Sequence, residues 1–132
     1  MKYLIGIDLG TQSTEAGLVS EDGKMVCSFG IPTNLIYPEK GAVIQDPEEM
    51  LDSVVTAIKS VVETSGVDPA EVEGICLDGQ MAGVMGVDKN GMAAIPYDSW
   101  LDTRCGAARR AFLEYGEERV IGITGEIGRA HV

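Results

Sequence analysis

The stretch Leu4-Ile5-Gly6-Ile7-Asp8-Leu9-Gly10-Thr11-Gln12-Ser13-Thr14 constrains this chain more than any other. An apolar run enters, an Asp closes it, and a small-residue turn rich in hydroxyls follows. The chain resumes with Ala16-Gly17-Leu18-Val19. The pattern predicts a strand, a tight turn and an antiparallel strand, with the turn shaped to hold a phosphate. Gly10 turns the backbone without a Cβ penalty. Thr11, Ser13 and Thr14, with the successive backbone N–H groups that run through Gln12, offer donors to phosphate oxygens. Asp8, at the strand end, is placed to hold Mg²⁺, which takes one or two carboxylates and keeps its waters. The plainer alternative is a β-hairpin whose polar turn faces solvent. The run is neither a Walker A loop, which needs Gly-Lys-Ser/Thr before a helix, nor a Gly-x-Gly-x-x-Gly dinucleotide turn.

The 132 residues suit one domain of ordinary size, with 45% hydrophobic residues for a core. Seventeen glycines beside only 5% aromatics point to an α/β protein with many tight turns. The net charge of −11 repels phosphate backbones and anionic lipid, which argues against nucleic-acid or membrane partners. A nucleotide site on such a chain needs Mg²⁺ and backbone dipoles to offset the same repulsion. No segment has the length of a membrane span, and Asp8 interrupts the first apolar run, so no signal peptide is read there. Cys27, Cys76 and Cys105 form no Cys-x-x-Cys or Cys/His cluster. Reduced thiols and a cytoplasmic location are expected.

Taken in order, Tyr3 to Asp8, Glu15 to Ser20 and Met25 to Ile31 read as strands of an antiparallel meander. A loop is predicted from Pro32 to Gln45. A helix follows, with Asp46 at its cap, Pro47 in the first position and Glu49 completing an Asp-x-x-Glu capping box. Met50, Leu51, Val54, Val55, Ile58, Val61 and Val62 form its predicted core face, and Gly66 ends it. Glu73 to Asp78 reads as a strand parallel to the first, since a helix lies between. Short strands at Val84 to Val87 and Met92 to Ile95 flank a turn at Asp88-Lys89-Asn90-Gly91. Pro96 to Trp100 reads as loop. A second helix is expected from Asp102 to Tyr115, closed by Gly116, with a short helical stretch from Glu117 to Ile121. The order is β-β-β-α-β, then a hairpin, then a helix.

Two further stretches carry chemistry. Gly79-Gln80-Met81-Ala82-Gly83 directly follows a predicted strand, and open α/β sheets place ligands at strand carboxyl ends. Gln80 can donate to and accept from a sugar hydroxyl, and Met81 can pack on a sugar C–H face. Ser99-Trp100-Leu101-Asp102-Thr103-Arg104 offers a flat ring, an acceptor and a fork of donors, a trio suited to polyhydroxylated ligands. Each stretch also has a simpler reading: a Gly-rich turn without a ligand, and a helix start capped by Asp102.

Together the stretches are more specific. The hairpin, Gln45-Asp46-Pro47-Glu48, Gly79-Gln80-Met81-Ala82-Gly83 and Trp100-Leu101-Asp102-Thr103-Arg104 occur here in the order found in FGGY carbohydrate kinases. The chain resembles that family, its xylulokinase-like members especially, over residues 3 to 125. The resemblance implies an actin-like, ribonuclease H-like ATPase fold, of which residues 1–125 form an incomplete first domain. It implies MgATP-dependent phosphorylation of a sugar or polyol hydroxyl. Asp8 and Gly10 to Thr14 would serve Mg²⁺ and the phosphates of ATP. Gln80, Met81, Ala82, Trp100, Asp102 and Arg104 would lie at the substrate. Such chemistry is mainly positioning and charge neutralisation.

Three residues depart from the family pattern. Glu15 stands where relatives often carry Lys or Arg. Ala82 stands where xylulokinases carry His, which points to another substrate. Asp78 replaces a smaller residue. The resemblance also places the catalytic Asp base, and most of the adenosine pocket, downstream of these residues. This chain alone is therefore expected to be inactive, to lack the remaining part of its own polypeptide, and to leave apolar surface uncovered; a longer form could be a homodimer. The residues Glu126-Ile127-Gly128-Arg129-Ala130-His131-Val132 do not resemble the kinases. They match a translated sequencing adapter, GAG ATC GGA AGA GCA CAC GTC, whose next triplet is a stop. Residues 126–132 are thus expected to be a foreign tail. Two alternatives from other classes are an actin-like ATPase used as a nucleotide-driven switch and a non-catalytic sugar sensor. The Gln80 and Trp100 stretches argue against the switch, which needs no sugar site.

Overall fold

The computed structural model describes residues 1–108, 111 and 114–124. β1 (Tyr3–Leu9), β2 (Ser13–Ser20), β3 (Met25–Pro32) and β5 (Val72–Gly79) form one sheet in the order β3-β2-β1-β5. β1 pairs antiparallel with β2 and parallel with β5. The strand alternation decides which side is covered. Ile5, Ile7, Ala16 and Leu18 point to one face and are buried, while Leu4, Asp8 and Glu15 point to the other and are exposed.

Helix α1 (Pro47–Ser65) covers the buried face. The Asp46 carboxylate accepts the Glu48 N–H at its start, and Gly66 ends it at φ 68°, a left-handed conformation that glycine adopts freely. Ala57 and Val61 join Ile5, Ile7, Ala16 and Leu18 in the core cluster. Ala57 has no side chain beyond Cβ, which lets the helix sit close on the sheet. The expected mixed α/β architecture and strand order are present.

Several details differ from the sequence reading. The buried stripe of α1 runs through Met50, Ser53, Ala57 and Val61, whereas Leu51 and Val55 are exposed. Val54, Ile58 and Val62 pack against this core as expected, so the predicted face is right except for Leu51 and Val55. It also takes in the small residues Ser53 and Ala57, which hydrophobicity alone does not flag. The reciprocal half of the capping box is absent: the Glu49 carboxylate accepts from Asn34 Nδ2 at 2.6 Å. The stretch before the helix is not all loop. It contains β4 (Ile44–Gln45), which pairs antiparallel with β6 (Tyr97–Asp98), a segment also read as loop. Two-residue strands are too short to leave a periodic pattern.

The hairpin expected at Val84 to Ile95 keeps its turn but not its strands. Asp88 Oδ1 accepts the N–H groups of Asn90 and Met92, and Gly91 takes φ 80°. Val84 pairs outward with Asp98, leaving a single bridge between Val87 and Ala93. The stretch expected to start a helix at Asp102 begins as a 3-10 turn, Arg104–Ala108. Residues 109, 110, 112 and 113 of that expected helix lie outside the described residues, as do 126–132. The later helix, α2, spans Glu117–Thr124.

Leu51, Met85 and Val87 help line an apolar groove of about 710 Å³ between α1 and the segment that follows β5. Ile75 and Leu77 on the β5 edge are likewise exposed. No helix among the described residues is long and apolar enough to cross a membrane.

Candidate functional site

β1 and β5 run parallel and end in register, Leu9 opposite Gly79. The two turns that leave them are therefore neighbours. Gln80 N–H donates to the Leu9 carbonyl at 2.9 Å, which ties the second turn to the end of β1. In the first turn, Gly10 N–H donates to the Ser13 carbonyl at 2.9 Å, and a Cβ on Gly10 would stand 2.8 Å from that oxygen. Glycine is required there for close approach. Among the described residues, no acceptor is found for the N–H groups of Thr11 and Gln12. Both remain available to an anion.

The hydroxyls expected to join them behave differently. Thr14 is buried, with its Oγ1 2.7 Å from Ser53 Oγ under α1. It faces the core and cannot donate to a phosphate, which corrects the sequence expectation. The cause is strand parity: Thr14 shares the inward face with Ala16 and Leu18, and only residues before the strand are free to aim elsewhere. Thr11 Oγ1 donates to Gln80 Oε1 at 3.0 Å and accepts the Trp100 indole N–H at 2.9 Å. Its hydroxyl is thus engaged by the other two motifs. Ser13 is half-buried, and Gln12 is exposed at the turn.

Asp8 lies exposed on the uncovered face, directly opposite Glu15 on β2 and Asp78 on β5. Like charges at directly opposed strand positions destabilise a sheet. The Glu15 carboxylate leans across Gly30, where a Cβ would meet it at 2.5 Å, and so turns away from Asp8. Asp78 Oδ1 accepts the Gly79 N–H at 2.8 Å. Among the described residues, no cluster of three or more His, Cys, Asp and Glu is arranged to enclose a metal. The oxygen-only donors beside free backbone N–H groups fit Mg²⁺ that keeps waters and shares a phosphate, and do not fit a soft, fully caged metal.

The second turn holds Ala82 at φ 62°, a region that side chains seldom occupy, and leaves Met81 largely in solvent. Gly83 has no room for a Cβ, which would come 1.9 Å from the Tyr97 hydroxyl. The third stretch is brought in by β6, whose pairing with β4 places Ser99 N–H on the Val43 carbonyl at 2.9 Å. Trp100 then reaches Thr11 across 89 residues of sequence. Asp102 and Arg104 are used on each other: Arg104 NH2 lies 2.7 Å from Asp102 Oδ2 and 2.8 Å from Asp98 Oδ1. Asp102 Oδ2 also accepts the Val43 N–H at 3.0 Å. The Arg104 guanidinium, helped by the Val43 N–H, holds the Asp102 carboxyl well below the usual carboxylate range. The same pairing pushes the Arg104 value up.

One residue was read only as part of a helix-start motif. Gln45 is 1% exposed, and its amide contacts both Gln80 and Thr11. A buried Gln beside a helix start is the signal that was present in the sequence, since buried amides need partners.

The chain as a whole has known relatives. A model of the FGGY family of carbohydrate kinases, N-terminal domain, matches residues 3–128. This chain belongs to the FGGY family of carbohydrate kinases. Curated FGGY relatives include a xylulose kinase of Bacillus subtilis, 34% identical over 79% of this chain and 21% of its own length. A glycerol kinase of Caldanaerobacter subterraneus is 34% identical over 67% of this chain and 18% of its own. The chain thus spans about a fifth of the length of these relatives. Among solved structures, a ligand-bound xylulose kinase from Lactobacillus acidophilus superposes with a TM-score of 0.80 at 25% identity. That match covers 92% of this chain and 24% of the other. A glycerol kinase from Plasmodium falciparum solved with ADP, at 20% identity and a TM-score of 0.76, shares the fold.

Proposed function

We propose that this chain is the leading portion of an ATP-dependent carbohydrate kinase that transfers the γ-phosphate to a sugar or polyol hydroxyl. The observation that carries the reading is the direct joining of the three motif stretches at one end of the sheet, through Thr11, Gln80 and Trp100. The names of the relatives, xylulose and glycerol kinases, support the substrate class.

In this reading the Thr11 and Gln12 N–H groups, on the turn opened by Gly10 and closed by Ser13, receive phosphate oxygens. Asp8, exposed on the face away from α1, would hold Mg²⁺, which would supply charge neutralisation against the net charge of −11. Gln80 presents its amide, Met81 its exposed thioether and Trp100 its ring face to the carbon skeleton and hydroxyls of the acceptor, beside Ala82. Asp102 and Arg104, bound to one another, hold the Trp100 segment and offer their remaining valences to hydroxyls. The proton-accepting Asp lies downstream of these residues in the family, so residues 1–125 bind but do not catalyse. Residues 126–132 are read as foreign on their sequence alone, although the family match runs on to residue 128. Three unpaired cysteines favour a cytoplasmic setting.

Thermal unfolding of the purified chain with polyols, ketoses and MgATP, each added separately, tests the reading. At least one polyol or ketose is expected to raise the melting temperature, with no ATP turnover. Stabilisation by MgATP alone would favour the nucleotide switch, and sugar-dependent ATP turnover by this chain would overturn the assignment of the base to a downstream segment.

A further inference from the structure

Gln45 touches neither free N–H group of the first turn and exposes almost nothing to solvent, yet it closes a ring of hydrogen bonds. Gln45 Nε2 donates to the Thr11 carbonyl at 3.4 Å. Gln45 Oε1 accepts from Gln80 Nε2 at 2.7 Å. Gln80 Oε1 accepts from the Thr11 hydroxyl at 3.0 Å, and that hydroxyl accepts from the Trp100 indole at 2.9 Å.

The chemistry at the ends fixes the direction of every link. The Thr11 carbonyl only accepts, so Gln45 must turn its NH₂ toward it. Gln45 Oε1 then faces Gln80, which must turn its own NH₂ to meet it. Gln80 Oε1 is left facing Thr11, whose hydroxyl proton goes there. The indole N–H only donates and takes a lone pair on the same hydroxyl. Reversing either amide would set two acceptors or two donors against each other. Thr33 Oγ1 also donates to the Thr11 carbonyl, at 3.0 Å, and strengthens its role as the fixed end.

We infer that Gln45 is a positioning residue: from beneath the site it sets which end of the Gln80 amide meets a ligand and, through Thr11, holds the Trp100 ring. The inference rests on the reading of Gln80 and Trp100 as the polyol side of a kinase site. It goes further in making the two turns one unit. Gln80 is left with one N–H and one lone pair, in a set orientation, for a ligand hydroxyl that both donates and accepts.

The test uses the sole tryptophan of the chain as its reporter. Solvent exchange and the NMR resonance of the Trp100 indole N–H are followed in the full chain, in Gln45→Leu, in Gln45→Glu and in the core variant Val61→Ala. Gln45→Leu is expected to speed indole exchange about tenfold, the worth of one hydrogen bond. Val61→Ala, which lowers stability away from the ring, is expected to leave it unchanged. Gln45→Glu is expected to resemble Gln45→Leu at pH 7, where its carboxylate opposes the Thr11 carbonyl. It should regain the parent resonance at acidic pH, where the neutral carboxyl again donates one way and accepts the other. An indole signal indifferent to Gln45, or no recovery on acidification while the parent stays folded, would overturn the inference. Polyol-induced stabilisation separates it from the kinase reading. If no polyol binds the parent chain, that reading fails and the indole result alone decides the ring. If a polyol binds the parent and Gln45→Leu equally, the positioning role is refuted.

Discussion

The Thr14 hydroxyl donates to the Ser53 hydroxyl at 2.7 Å inside the sheet–helix core, because Ser53 spends its own proton on the Met50 carbonyl, also at 2.7 Å. The link pins the second strand to α1 immediately behind the first turn. Ser53→Ala strands a buried donor and is expected to cost about 1–3 kcal/mol. Thr14→Val removes the donor and leaves Ser53 its bond to Met50, so a loss of about 1 kcal/mol is expected. Denaturant unfolding measures both. Neither change should alter nucleotide binding by a direct contact, since neither hydroxyl faces the turn.

Tyr97 and Gly83 make a second testable pair. Among the described residues the Tyr97 hydroxyl is buried without a hydrogen-bond partner, and burial pushes its pKa up. Tyr97→Phe is therefore expected to be neutral or to stabilise the chain by about 1 kcal/mol. A clear loss would mean that the hydroxyl has a partner. Gly83→Ala forces a methyl into the space of the Tyr97 ring and is expected to cost about 1–3 kcal/mol. That cost should shrink in a Tyr97→Ala background, as expected for contacting residues.

Acid sensitivity follows from Asp102. Its folded-state pKa lies well below the ordinary 3.8, mainly through the Arg104 guanidinium. A depressed carboxylate adds stability that is fully present above the ordinary value and is lost as pH falls toward the folded value. Melting temperature is expected to fall between about pH 4 and pH 2 in the parent chain. Arg104→Ala should flatten part of that decline while lowering the plateau near pH 7. An unchanged acid limb in Arg104→Ala would show that the pair contributes nothing to it.

Most of the sheet was legible because the apolar runs of β1 and β2 are broken by the turn at Gly10 and the α1 start carries Asp46 and Pro47 in capping order. The Val84 to Ile95 segment was not, because its glycines let Val84 pair with Asp98 and leave only a bridge at Val87. Thr11 and Gln80 were singled out from their turns, and the structure brings the two side chains together. Thr14 could not be told apart from Thr11, because a hydroxyl reveals its face only once strand parity is fixed. Gln45 was hidden for a different reason: its importance lies in partners 34 and 35 residues away. Asp102 and Arg104 were chosen for ligand chemistry, but proximity in sequence lets them satisfy each other first.

Trp100 emission gives the most direct test that the joined turns form a polyol site. The folded chain would be titrated with a panel of polyols, ketoses and aldoses, and the titration repeated in Gln80→Ala. A saturable change with at least one polyol or ketose, abolished in Gln80→Ala, is the expected result. Emission that no member of the panel moves, or a response that survives Gln80→Ala unchanged, would contradict the account.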